Sequence, residues 1–245
     1  MAELNLLQLT TEFCKRQALT PLPTTVTGSQ DDTTIQIWGL LNEGMEDISR
    51  RFTLQQLRTR YTFNHAGVAN YIALDVINKL PDFKWMYTRT LWDTTSRIEV
   101  AGPLSEKEWN QLLVMLIAAA RYSYRLMGNY LRIFPIPNPL DSILFAFEYQ
   151  SRYPVISAAG GFLPQFTQDT DMPRFPSDIV LADLKWRWRE AKGLPYAEQM
   201  RISEEALRQL VVREPQPDLV LDAPDPDVPL AGPGLLIPAG SWNVH

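Results

Sequence analysis

The clearest periodic signal in the chain is an apolar seam. Trp38, Leu41, Met45, Ile48 and Phe52 recur at spacings of 3, 4, 3 and 4, which is the period of one helical face. Asp31-Asp32-Thr33-Thr34 places acid at its start, and Arg50 and Arg51 place base near its end, so the helix dipole is complemented at both termini. Thr53-Leu-Gln-Gln-Leu57 either extends this helix or starts a new turn. Residues 2–18 predict an earlier helix, with Leu6, Leu9 and Phe13 on one face and Pro21 and Pro23 as its stop.

From about residue 61 the pattern shortens to strands. Tyr61 to Leu74 reads as a strand region broken by Gly67, followed by a helical turn over 75–80. Phe83 to Trp92 and Arg97 to Val100 read as strands joined by a turn at Asp93-Thr-Thr-Ser96. Ser105-Glu-Lys-Glu108 is a capping box that opens a helix running through Trp109 towards Ala120. Gly128-Asn129 then predicts a two-residue hairpin turn of the glycine-first kind, pairing Met127 with Tyr130, Leu126 with Leu131 and Arg125 with Arg132. Two directly opposed arginines repel, so an acidic neighbour is expected: either Glu148 on the next strand or a carboxylate of another chain. Ser142 to Arg152 alternates Ile143, Phe145, Phe147 and Tyr149 against Leu144, Ala146, Glu148 and Gln150, a strand with one wholly apolar face.

Residues 154–176 carry Gly160-Gly161, several prolines, Asp169 and Asp171. They read as a long projecting loop or loose hairpin. A helix follows from Ser177, taken as the N-cap, to Gly193, taken as the stop. Ile179, Leu181, Leu184, Trp186 and Trp188 cover more than one stripe of it, so it is expected to touch neighbours on two sides. Its inner face is expected on the seam that runs from Trp38 to Phe52. Trp186, Arg187, Trp188 and Arg189 are its candidates for a subunit or partner interface, because Trp and Arg are favoured at hot spots. Pro195 opens a last helix to about Arg213.

Composition changes the picture at the C-terminus. The chain has 245 residues, 45% of them hydrophobic and 21% charged, with net charge −5. The last 32 residues contain Glu214, Asp218, Asp222, Asp225 and Asp227 and no base, so all of the net charge sits there and residues 1–213 are balanced. This proline-rich stretch has no helical or strand period, and its extended reach is roughly 100 Å at about 3.1 Å per residue. A purely solvating tail would not carry Leu219-Val220-Leu221, Leu235-Leu236-Ile237 and Trp242. These clusters and the arginines Arg125 and Arg132 complete the candidate interface residues. Docking of the arm on a partner or neighbouring subunit is set against a mostly disordered arm.

Other chemistry is thin. A single cysteine, Cys14, and an N-terminus without a basic start point to a soluble, non-secreted protein. The two histidines, His65 and His245, give no zinc or Cys-His site, and no phosphate-binding or nucleophile motif is present. Asp169-Thr-Asp171 has only the flavour of a metal loop. No cofactor, metal or catalytic residue is therefore expected. The neutral body and acidic tail lack the electrostatic footprint of a tight DNA binder.

Several stretches together resemble the head-to-tail adaptor (connector, tail tubular protein A-like) family of short-tailed bacteriophages. They are Thr90-Leu-Trp-Asp93, Gly102-Pro-Leu-Ser-Glu-Lys-Glu-Trp109, the Gly128-Asn129 hairpin, Phe147-Glu-Tyr149, and the run from Leu184-Lys-Trp-Arg-Trp to Tyr196-Ala-Glu198, with the N-terminal helices. The resemblance spans residues 1 to about 210 and implies an α+β fold with a helical bundle built from both chain ends and a central antiparallel β-rich domain; the extended C-terminal arm lies beyond the matched part and is expected from its composition. The expected division is 1–60 N-terminal helices, 61–171 β-rich domain with the projecting loop, 172–213 C-terminal helices and 214–245 arm. It also implies a virion protein that forms a ring of twelve copies and binds the phage portal protein and the tail nozzle protein, with tail fibres sometimes attached nearby. Double-stranded DNA would pass through without tight binding, and no membrane is involved. The alternative from the residues is a cell-wall polysaccharide hydrolase or carbohydrate-binding β module, with Glu99 and Glu148 as its carboxylates.

Overall fold

The computed structural model describes residues 3–65, 71–114, 121–136 and 143–213, and it is a mixed α+β fold. Helix α1 spans Leu6–Arg16 and opens with a capping box. Asn5 accepts from the Gln8 N–H at 2.9 Å, and the Gln8 side chain accepts from the Asn5 N–H at 3.1 Å. Helix α2 spans Asp32–Arg51, and Asp31 is its N-cap through the Thr34 N–H at 2.9 Å. Its predicted seam is inside. Leu41, Met45 and Ile48 are buried with Ile37, while Trp38 and Phe52 pack against the same cluster from its edge. The stretch after α2 is a separate 3-10 turn, Gln55–Leu57.

The central strands form two antiparallel sheets. β1 (Arg58–His65) pairs along its whole length with the long strand β8 (Ile143–Ser151). On the other side of β8 lie β3 (Phe83–Met86) and the short β4 (Trp92–Asp93), which turns into β5 (Ile98–Glu99). The expected single strand over 83–92 is thus divided, and its middle contains Arg89 at φ 59°, where a strand cannot continue. The turn after β4 is held as read, with Asp93 accepting from the N–H groups of Thr95 and Ser96. The second sheet contains β2 (Ile72–Asp75), β7 (Tyr130–Phe134) and β6 (Ser123–Met127) in the order β2-β7-β6.

The β6–β7 register pairs Met127 with Tyr130, Leu126 with Leu131 and Arg125 with Arg132, as the turn chemistry predicts. Gly128 sits at φ 57°, the position that makes glycine favourable in this turn. One helical turn, α3 (Val76–Lys79), follows β2, and α4 (Glu106–Val114) lies between β5 and β6. Both bonds of the predicted capping box are made at α4: Glu108 accepts from the Ser105 N–H at 2.7 Å, and Ser105 accepts from the Glu108 N–H at 3.3 Å. The inner face of β8 (Phe145, Phe147 and Tyr149) joins Phe63, Leu131 and Ile133 in one apolar cluster.

Of the two readings of residues 154–176 the hairpin is the one formed, with Phe162 and Leu163 paired antiparallel to Ile156 and Val155. The segment forms a small three-stranded sheet, β10 (Phe162–Leu163), β9 (Val155–Ile156) and β11 (Met172–Pro173). Val155, Phe166 and Phe175 are fully buried in the cluster that also holds α1, α2, α5 (Ser177–Ala191) and α6 (Ala197–Arg213). Each such fully buried apolar side chain is worth about 1.5–3 kcal/mol, enough to fold a proline-rich segment down onto helices. Ser177 is not the N-cap of α5, which is Pro176; the Ser177 hydroxyl instead accepts from the Leu4 N–H at 2.9 Å. At the other end Gly193 takes φ 66°, and the bonds Gly193 N to Glu190 O and Leu194 N to Arg189 O close a Schellman stop.

Candidate functional site

Helix α5 puts its two tryptophans on different sides of the helical cluster. Trp188 is buried edge-on against Phe13 of α1, with ring centroids 5.8 Å apart. Trp186 donates through Nε1 to Asp183 at 2.8 Å and lies beside Tyr196. The inner face of the helix packs on α2. Between the helices Arg187, with 7% of its side chain exposed, is held by three carboxylates: Asp183 at 2.7 Å, Asp47 at 2.9 Å and Glu43 at 3.1 Å. Asp47 also meets Arg51 at 2.9 Å, and Arg51 meets Glu204 of α6 at 2.6 Å. This charge chain ties α5, α2 and α6 together. Trp186, Arg187 and Trp188 are all buried within the single subunit. Arg189 is half-buried and donates to the Pro195 carbonyl at 2.6 Å.

Arg125 and Arg132 are half-buried and directly opposed. The expected acidic neighbour is not Glu148, which lies in the other sheet and is engaged by Arg58 through both Nε and Nη2. Among the described residues neither hairpin arginine has an ion-pair partner, and Arg132 Nε is buried without an acceptor. Leu126, Met127 and Tyr130 stand exposed at the hairpin tip, and Leu194, Tyr196, Met200 and Ile202 stand exposed around the start of α6. Leu219, Val220, Leu221, Leu235, Leu236, Ile237 and Trp242 lie outside the described residues.

The acids that suggested a metal loop anchor chain instead. Asp169 accepts from the N–H groups of Val26 and Thr27 and from the hydroxyls of Thr25 and Thr27, with the closest contact at 2.7 Å. Burial opposes its ionisation, but these donors outweigh burial and hold the carboxyl below the usual range. Asp171 is wholly buried and accepts from Thr167 and Gln168. No group of three or more metal-ligating side chains occurs among the described residues. Glu148, once a candidate acid, is neutralised by Arg58.

A second buried polar cluster joins the sheets to the small strands. The Tyr149 hydroxyl donates to both oxygens of Asp82, at 2.9 and 3.0 Å. Arg174 lies over the Phe162 ring and donates to Thr59 and to the Tyr153 carbonyl. Burial lowers the Arg174 guanidinium to about 10, against the pull of Asp82 and Tyr149. Burial, with Asp82 beside it, raises the Tyr149 phenol well above its ordinary value.

Sequence reasoning did not single out the outer face of the first sheet. There Arg58, Arg60, Arg89, Trp92, Ala146 and Glu148 line a cleft of about 410 Å³. A larger cleft of about 650 Å³ lies between α2 and the sheet, lined by Glu43, Glu46, Arg50, Lys84 and Arg152 among others. Lys84 reaches across it to the carbonyls of Ser49 and Arg50 at the end of α2, at 2.8 and 3.0 Å. The alternation that exposed the sheet face was legible, but which of its residues met was not.

The molecule so described is built for packing and contact: two cores, interlocked charges, and apolar side chains exposed on the hairpin and on α6. No helix among the described residues is long and apolar enough to cross a membrane. No curated protein matches the chain significantly. The family model described as SU10 adaptor protein matches residues 5–226, and so the chain belongs to the SU10 adaptor protein family and is a structural adaptor of a bacteriophage virion.

Proposed function

We propose that this chain is a head-to-tail adaptor that forms a ring, of twelve copies, between the phage portal protein and the tail nozzle protein of a short-tailed phage. The observation that carries the reading is the family match over residues 5–226. The exposed side chains support it. A closed ring of identical subunits needs two unlike surfaces on each copy, and the chain offers Leu126, Met127 and Tyr130 on the hairpin and Leu194, Tyr196, Met200 and Ile202 around the start of α6. In this reading the helices of both chain ends form the unit that meets one partner, and the β-rich unit meets the other. Arg125 and Arg132, without an ion-pair partner among the described residues, would find carboxylates on a neighbouring copy.

The ring extends the DNA channel, and double-stranded DNA passes without tight binding. Residues 1–213 are balanced in charge and the arm is acidic. Each phosphate neutralised would add affinity and slow passage. Tail fibres attach at or near the same junction. Assembly takes place in the host cytoplasm, without a membrane.

The test is electron microscopy of the chain mixed with the portal protein of the same phage. A ring of adaptor density seated on the portal is the expected result. Portal particles that stay bare at high adaptor concentration would overturn the reading. Double substitution of Leu126 and Met127 to Ser should leave the monomer folded and abolish the ring.

A further inference from the structure

The outer face of the first sheet carries more positive charge and more apolar surface than the described residues use. Directly opposed residues of an antiparallel pair share a face. Arg60 opposes Glu148, and Trp92 opposes Ala146, so these four lie together, away from the Phe145–Phe147 core. Arg58 shares the face by its two-residue offset from Arg60. Arg58 neutralises Glu148 and lies over the Tyr87 ring at 4.5 Å. Arg60 and Arg89 are exposed and have no ion-pair partner among the described residues. Trp92 is 44% and Leu144 38% exposed on the same face. Arg89 also holds φ 59°, a conformation that non-glycine residues adopt rarely and that concentrates at functional sites.

A groove with two surplus guanidiniums and an apolar floor calls for an acidic segment that carries aliphatic side chains. The chain contains one. Residues 218–222 read Asp-Leu-Val-Leu-Asp, acid on either side of three aliphatic residues, within an arm that has five acids and no base. The family match extends through residue 226 and so includes this stretch, whereas Leu235, Leu236, Ile237 and Trp242 lie beyond it. Asp218 lies five residues beyond Arg213 and Asp222 nine, so at about 3.3 Å per extended residue they reach roughly 17 and 30 Å from the end of α6. A nucleic-acid strand is the poorer fit, because the groove has a carboxylate at its centre and only two uncompensated cations.

We propose that this groove on the β1–β8–β4 face is the docking site of residues 214–226 of this same chain. Asp218 and Asp222 meet Arg60 and Arg89, and residues 219–221 lie on Trp92 and Leu144. The arm thereby straps the β-rich part of its own or a neighbouring copy.

Hydrogen–deuterium exchange on the full-length chain tests this, with three variants: Arg60→Glu with Arg89→Glu, Asp218→Lys with Asp222→Lys, and all four combined. The expected result is that amides of residues 219–221 exchange about tenfold or more slowly in the unsubstituted protein. Protection is lost in both charge-reversed pairs and returns in the combined variant, while β1 and β8 keep their protection throughout. The arm variants cannot unfold the body, so they keep the test sound if the sheet variants misfold. A concentration series tells whether the strap is from the same copy or a neighbour, and either supports the proposal. Unprotected amides at 219–221 in the unsubstituted protein, or protection that survives Arg60→Glu with Arg89→Glu, would overturn it. Exchange is read on the chain alone, so a failed ring on the portal leaves this result standing by itself.

Discussion

The absent side chain of Gly44 makes room for the carboxylate of Asp183: a Cβ built on Gly44 would lie 2.4 Å from Asp183 Oδ2. That carboxylate cannot simply turn aside, because Trp186 Nε1 holds one oxygen and Arg187 Nε the other. Helices α2 and α5 thus approach closely at one small residue, and the buried ion pair sits in the notch. Gly44→Ala is expected to cost about 1–3 kcal/mol, the usual range for overpacking a filled interior. Thermal melting would register it as a fall of about 2–4 °C per kcal/mol for a chain of this size. An unchanged melting temperature would mean that the helices separate at no cost.

Arg187 is the other half of that notch. Its removal leaves Asp183, 4% exposed at the side chain, buried without its counter-charge. Arg187→Ala should therefore destabilise by about 3–5 kcal/mol. Adding Asp183→Ala should recover part of this loss, because the orphaned charge goes with it. Chemical denaturation of the two single variants and the double variant measures the coupling. Simple additivity would contradict the buried network.

Asp169 gives the chain a pH dependence. Its folded carboxyl titrates below the usual range, and its unfolded value is about 4. A depressed acid stabilises the fold fully above its unfolded pKa and loses that contribution as pH falls through the folded value. Stability should therefore decline below about pH 4, and Asp169→Asn should flatten that part of the acid limb. At neutral pH the same variant should cost about 1.5–3 kcal/mol through lost bonds to a charged acceptor. Denaturant midpoints collected across acid and neutral pH would settle both parts.

Lys84 links the two halves of the fold by donating to the last carbonyls of α2. Cations at a helix C-terminus contribute about 0.3–1 kcal/mol. Lys84→Met should lower stability by about that amount and speed amide exchange at the end of α2 and the start of β3. If exchange changes only within β3, the link between sheet and helix is not mechanical.

Much of the local structure was legible because its signals are short-range. The seam from Trp38 to Phe52, the Ser105–Glu108 capping box, the Gly128-Asn129 register and the Gly193 stop each depend on residues within one or two turns of one another. The sequence thereby determined the helices at both ends and the central strands. Tertiary structure decided where these pieces meet. Residues 154–176 read as a loop or loose hairpin, and what their local pattern does not show is that Val155, Phe166 and Phe175 fill the helical core. Ser177 looked like a cap, yet its hydroxyl serves Leu4. Asp169 looked like half a metal site, yet it closes a turn more than 140 residues upstream. Arg187 gives no sign along the chain of its partners Asp47 and Glu43, which the fold brings around it from α2. A polar side chain's partner is whatever donor or charge the fold brings to it, and no period along the chain encodes a contact between residues that far apart.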